Sequence, residues 1–138
     1  MDNVLKEIVN NLSLVYPKQK INYSSSEIFI DSDAALLKLL FKNLIENAIK
    51  YGNNNPVNIT LEKENKTKIT IEDFGIGISK EALPHIFERF YREDEARNRE
   101  IKSYGLGLSI VKEIVALLNI DIQVESQLGK GTKITLLF

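Results

Sequence analysis

Two carboxamides, an amine and a phenol recur at helical spacing in this 138-residue chain: Asn43, Asn47, Lys50 and Tyr51. On a wheel of 3.6 residues per turn they share one side, away from Phe41, Ile45 and Ala48. Taken alone, such a stripe reads first as a solvated helix face. Beside a polyphosphate it has a second use. Mg²⁺ takes oxygen ligands and keeps water and phosphate oxygens around it. A neutral carboxamide oxygen completes that shell without adding negative charge.

Three glycine-bearing segments accompany the stripe. In Asp73-Phe74-Gly75-Ile76-Gly77-Ile78, the glycines permit a ligand to approach the backbone closely. A carboxylate at a strand end accepts a hydrogen bond from an exocyclic amine such as that of adenine, worth roughly 1.5–3 kcal/mol when charge-assisted. A plain turn with an Asp cap fits the same residues. Tyr104-Gly105-Leu106-Gly107-Leu108-Ser109 would expose N–H groups at a helix N-terminus, which favours anions, or would simply join a loop to a helix. Gly129-Lys130-Gly131-Thr132 precedes a strand and reads as a tight turn. No segment fits the P-loop pattern G-x-x-x-x-G-K-[ST].

The elements that must position these residues follow from periodicity. Val4, Leu5, Ile8, Val9 and Leu12 predict an N-terminal helix within residues 1–18. Two short extended pieces follow, Ile21–Tyr23 and Glu27–Ile30. Asp31, Ser32 and Asp33 offer caps for a long helix over 34–51, apolar through Leu37, Phe41, Leu44, Ile45 and Ala48. Gly52 and Asn53–Asn55 stop it before Pro56. Val57, Ile59 and Leu61 alternate, then Ile69 and Ile71, with a hairpin turn at Asn65-Lys66. Short helical pieces are expected around Pro84. Residues 91–104 are highly charged and poor in apolar side chains, which predicts a mobile loop. A helix opening at Gly105 carries Leu108, Val111, Ile114, Val115 and Leu118. Two strands end the chain, through Ile120, Ile122 and Val124, then Ile134, Leu136 and Phe138. Hairpins mixed with helices favour an α+β two-layer sandwich.

Composition bounds the function. The chain is 43% hydrophobic and 27% charged, ordinary for one compact domain over 1–138. The absence of Cys excludes a disulfide framework and thiolate metal sites. A formal net charge of −1 offers no basic field for nucleic acid. The fullest apolar run, Ala34 to Phe41, is broken by Lys38 and falls short of the roughly 20 residues that span a bilayer. The domain itself is expected to make no membrane contact.

In this order the motifs are specific together where each is weak alone. Asn43-Leu44-Ile45-Glu46-Asn47-Ala48-Ile49-Lys50-Tyr51 resembles the N-box of sensor histidine kinases. Asp73-x-Gly75-x-Gly77 resembles their first glycine box, Pro84 to Arg92 their F-box, Gly105 to Val111 the next glycine box, and Gly129-x-Gly131-Thr132 the last. The resemblance runs from about residue 20 to the end. It implies the Bergerat, or GHKL, fold: a mixed sheet of about five strands packed against three helices, with a mobile ATP lid.

By that resemblance, ATP and Mg²⁺ are the expected cofactors. Asn47 would ligate Mg²⁺, Asn43 would support the phosphates, Lys50 would contact phosphate and Tyr51 would line the adenine site. Asp73 would meet the adenine amino group, with Gly75, Gly77 and Ile78 closing around the nucleotide. Residues 91–104 would form the lid, with Phe87 and Phe90 at its base. Tyr104, Gly105, Leu106, Gly107 and Leu108 would line the phosphate side, and Thr132 would join the nucleotide site. Arg89 or Arg92 would reach the γ-phosphate as a charge clamp. Asn43, Lys50, Arg89 and Arg92 are thus the expected catalytic residues.

Hydrolases of the same superfamily carry Glu four residues before the magnesium Asn. Here Asn43 stands there, and a carboxamide cannot act as a general base. Glu46 lies about 100° around the helix from Asn47. Transfer to another group is therefore favoured over hydrolysis. His85, the single histidine, lacks the setting of a phosphoacceptor, which in the family sits on a separate dimerisation domain. Local packing or hydrogen bonding suits it better. The expected partners are that histidine-containing domain and, downstream, a response-regulator receiver domain. The resemblance implies a cytoplasmic domain of a protein anchored in the membrane elsewhere. A related serine kinase of anti-sigma type and a nucleotide-sensing scaffold without transfer activity are the alternatives.

The sequence departs from the family in two places. Lys102 and Ser103 replace a usual Gly pair before the lid end, which leaves the lid's phosphate contacts open. Leu118-Asn119-Ile120 replaces a His-Gly-Gly turn. Asn119 can still take the left-handed cap conformation.

Overall fold

The computed structural model describes residues 1–25, 28, 30, 32–88 and 107–138. Among them, three α-helices and five strands form two layers. Helix α1 spans Asp2–Val15, strand β1 Ile21–Ser25, helix α2 Ala34–Lys50, β2 Val57–Lys63 and β3 Thr67–Asp73. A 3-10 helix at Leu83–His85 precedes α3, Gly107–Leu117, and then β4, Asp121–Gln127, and β5, Gly131–Leu137. The sheet order is β1-β2-β3-β5-β4. Only β1 and β2 run parallel; the other pairs are antiparallel. This is the α+β sandwich expected from the sequence.

The alternating strands explain the layering. Ile59 pairs with Ile71 and Leu61 with Ile69, so the two apolar rows share one sheet face. Ile71 continues to Ile134, and Ile69 to Leu136. Leu37, Leu40, Phe41, Leu44 and Ile45 of α2 cover that face in one core, with Leu5 and Ile8 of α1 and Val111 and Ile114 of α3. Asp33 caps α2 by accepting from the N–H groups of Ala35 and Leu36, at 2.9 and 3.1 Å, which satisfies two orphan donors.

Helix α1 lies within the expected residues 1–18 and ends at Val15, because Pro17 disfavours helical geometry at Tyr16. Other boundaries differ from expectation. Ile28 and Ile30, the described residues of the second extended piece, are not in a strand; Ile28 is buried in the core instead. Asn53 and Asn54, with φ of 54° and 64°, turn the chain after α2. The first described residue of α3 is Gly107; Gly105 and the 91–104 loop lie outside the described residues. Ile120 belongs to the helix end and not to β4. Its N–H donates to Val115 O at 2.9 Å and that of Asn119 to Ala116 O at 3.4 Å. Asn119 has φ 55°, which completes a Schellman cap.

Candidate functional site

The motif residues converge where α2 ends. Its last turns carry the polar stripe, with Asn43, Asn47, Lys50 and Tyr51 all half-buried. Asn43 Nδ2 donates to Leu39 O at 2.9 Å, which leaves its carboxamide oxygen as an acceptor. Lys50 pairs with Glu46 at 3.6 Å. Glu46 also accepts from the Tyr16 hydroxyl at 3.3 Å, and burial, followed by the Glu46 charge, raises the Tyr16 pKa. The Asn47 side chain bonds to no other described residue, while its carbonyl accepts from Tyr51 N at 3.0 Å.

The loop after β3 is tied to that helix end by backbone contacts. Ile76 N donates to Tyr51 O at 3.2 Å, and Asn55 Nδ2 donates to Phe74 O at 2.8 Å. A Cβ on Gly75 would lie 1.9 Å from Tyr51 O, so no larger residue fits. Gly77, at φ 71°, presses on the β4–β5 turn, where a Cβ would meet Gln127 O at 2.1 Å. These glycines serve chain-to-chain approach as well as any ligand.

Asp73 closes β3 and is 8% exposed. One carboxylate oxygen accepts from Gly75 N at 3.0 Å. Burial raises its pKa above the ordinary value, and the N–H groups of Gly75 and Thr132 work against that rise. Two such donors leave further acceptor positions on the carboxylate. Across the sheet, Asp73 faces Thr132 on β5, and Thr132 faces Ser126 on β4. Ile78 N donates to Ser126 Oγ at 2.8 Å.

Asp73 thus meets Gly75 by a hydrogen bond and Thr132 by register, and Ile78 reaches Thr132 through Ser126. Tyr51 meets the loop through Ile76 N and its close approach to Gly75, and the Gly77 backbone lies against the β4–β5 turn. Asn43, Asn47 and Lys50 stand on the preceding turns of α2. Gly107 and Leu108 open α3, which packs on α2. Arg89, Phe90, Arg92, Tyr104, Gly105 and Leu106 lie outside the described residues. Phe87 packs against the core. His85 Nδ1 is 3.0 Å from Glu88 Oε1 on an exposed turn, a local contact of the kind expected.

Ser126, Asn55 and Tyr16 were missed. Only Ser126 had a sequence signal: it extends the inward row Ile122, Val124 with a hydroxyl where the period of two calls for an apolar residue. A cleft of about 270 Å³ between α1 and α2, lined by Ile8, Asn11, Leu12, Val15 and Lys42, includes none of the motif residues.

The donor set fits a magnesium-loaded nucleotide. Among the described residues, no cluster of three or more His, Cys, Asp or Glu could hold a metal. Asn47 instead offers a neutral oxygen, suited to a cation held mainly by phosphates and water.

The sequence profile of the histidine kinase-, DNA gyrase B- and HSP90-like ATPases matches residues 32–138. The chain belongs to this ATP-binding family and is the catalytic-domain type found in sensor histidine kinases. Over 135 residues it is 38% identical to the sensor histidine kinase YkoH of Bacillus subtilis (strain 168), covering 96% of this chain and 30% of that protein. The chain thus spans less than a third of that relative's length. Its fold matches the mycobacterial sensor histidine kinase MprB with a TM-score of 0.87 at 22% identity, over 100% of this chain and 93% of that one. It also matches full-length ShkA, solved in complex with AMPPNP, with a TM-score of 0.82 at 24% identity, over 98% of this chain and 29% of that one. No described helix is long and apolar enough to cross a membrane.

Proposed function

We propose that this domain binds MgATP and passes the γ-phosphoryl group to a histidine on a separate dimerisation domain, for relay to a response-regulator receiver. The observation that carries the reading is Asp73. It is a buried carboxylate at a central strand end, held by the Gly75 N–H beside a glycine-lined loop. A buried carboxylate with acceptor capacity to spare suits an amine-bearing base.

Phosphoryl transfer depends on positioning and charge neutralisation more than on covalent chemistry. Asn47 would hold Mg²⁺, which would neutralise phosphate charge when bound. Asn43 would steady the phosphates through its free oxygen. Lys50 would leave Glu46 for a phosphate oxygen, an exchange made easier by the long 3.6 Å pairing. Tyr51, Gly75, Gly77, Ile78 and Thr132 would enclose the base. Residues 91–104 would act as the lid, with Phe90 at its base. Tyr104, Gly105, Leu106, Gly107 and Leu108 would stand at the phosphates, and Arg89 or Arg92 at the γ-phosphate. The acceptor domain would supply the nucleophile. The sensor-kinase relatives favour this reading over a serine kinase or a scaffold that transfers nothing. The domain would work in the cytoplasm, with any membrane anchor elsewhere in the protein.

The test mixes the domain with labelled ATP, Mg²⁺ and a separately expressed acceptor domain. Label should appear on the acceptor histidine and vanish with Asn47→Ala or Asp73→Ala. Release of free phosphate without acceptor, as fast as transfer, would overturn the role given to Asn43.

A further inference from the structure

Ser126, Thr132 and Asp73 form one row across β4, β5 and β3. Directly opposed residues of antiparallel strands project from the same face, so the three side chains line the site end of the sheet together. Ser126 Oγ has three polar neighbours: Ile78 N at 2.8 Å, Gly131 O at 3.0 Å and Thr132 Oγ1 at 2.8 Å.

Only one assignment of protons satisfies all three contacts at once. A hydroxyl has one proton and two acceptor positions. Ile78 N–H only donates, and the Gly131 carbonyl only accepts. Ser126 therefore gives its proton to Gly131 O and takes that of Ile78 N–H. Its remaining acceptor position takes the proton of Thr132. The Thr132 hydroxyl then has no proton left, and toward the nucleotide loop it presents lone pairs alone.

We propose that Ser126 is a specificity-determining residue: by engaging the Thr132 proton, it makes Thr132 an obligate acceptor beside Asp73 and selects a 6-aminopurine over a 6-oxopurine nucleotide. This rests on the nucleotide-site reading above. Asp73 alone does not discriminate, because a carboxylate also accepts from the N1–H and amino group of guanine. A second fixed acceptor does. It receives a proton from a 6-amino group and opposes the lone pairs of a 6-oxo group. Ser126 itself would touch no nucleotide; it acts through Thr132 and, through Ile78 N, holds the loop.

The experiment measures the affinities of ATP and GTP for the chain and for Ser126→Ala, Ser126→Thr and Thr132→Val, by calorimetry with Mg²⁺. Ser126→Ala frees the Thr132 proton to be donated, and the ATP-to-GTP preference should fall about tenfold, the scale of one polar mismatch. Ser126→Thr, which keeps the hydroxyl, should preserve the preference. Thr132→Val, which lacks the acceptor, should reduce it. Equal weakening of both nucleotides by Ser126→Ala would mean a structural role only and would overturn the proposal. A fall with Thr132→Val but not with Ser126→Ala would do the same. Should Ser126→Ala not fold, Ser126→Cys, a weak partner of similar size, carries the same comparison. Failure of the wild-type chain to bind either nucleotide would instead overturn the site reading itself.

Discussion

The Tyr51 carbonyl oxygen accepts the Ile76 N–H at 3.2 Å and stands where a Gly75 side chain would have to begin, 1.9 Å from a Cβ built there. The end of α2 and the loop after β3 are thereby one mechanical unit. The helix that carries Asn47 and the strand that carries Asp73 cannot separate without breaking it.

Gly75→Ala should therefore cost about 2–3 kcal/mol of stability, since the clash is with backbone that has nowhere to move. It should also weaken ATP binding. Gly129→Ala is the control: nothing lies within 4 Å of its Cβ position, although φ is 78°. Its cost should be about 1–2 kcal/mol, from conformation alone. Chemical denaturation of the two variants, with calorimetry for ATP, separates clash from strain.

Nucleotide binding should depend on the ionisation of Asp73. Burial raises its pKa above 3.8 in the folded chain, so the folded state binds its proton more tightly than the unfolded state. The ionised form therefore lowers stability, and this cost sets in as pH rises from 3.8 through the folded value. Affinity for ATP should fall as pH is lowered through that same folded value, while the fold persists. Asp73→Asn should abolish binding without lowering the thermal midpoint at pH 7. A marked drop in that midpoint would contradict the assignment of the shift to burial.

Asp2 behaves in the opposite sense. Hydrogen bonds from Ser25 and Tyr23 lower its pKa from 3.8 to about 2, and the Tyr23 hydroxyl stands 2.6 Å from Oδ1. The stabilisation is full above the unfolded value of 3.8 and disappears as pH falls toward about 2. Asp2→Asn should lower the thermal midpoint at pH 7, with the difference closing near pH 2. Tyr23→Phe should cost about 1 kcal/mol at pH 7, the worth of one such bond. A pH-independent deficit in Asp2→Asn would rule out the ionised carboxylate as the source.

The α3 cap offers a further measurement. Asn119 sits at φ 55°, where a branched side chain is strained and glycine is not. Asn119→Gly should be neutral or slightly stabilising. Asn119→Val should cost about 1–2 kcal/mol. Equal stability of the two variants in urea titrations would refute the left-handed assignment.

Helix α2, the β2–β3 hairpin and the β4–β5 hairpin were legible because each depends on neighbours within a few residues. Periods of 3.6 and 2 name the buried faces directly, and the order of the Asn and Gly boxes identified the family. The Asn119 cap was legible for the same reason, since asparagine tolerates the left-handed region. Boundaries were harder. Ile120 looked like the first inward residue of a strand, but its N–H was already engaged by Val115 O.

From its own residue order, then, the chain determined its helical and extended segments, its apolar faces and the kinds of side chain available for a magnesium-nucleotide site. Tertiary structure decided the parallel placement of β1 on β2, the contact of Tyr16 with Glu46 across 30 residues, and the row of Ser126, Thr132 and Asp73. Strand order is set by partners far away in the chain, and the Ser126 and Thr132 hydroxyls are set by contacts across the β4–β5 hairpin and with distant Ile78 N. A local pattern specifies which face a residue takes, but not which atom will stand opposite to take or give its proton.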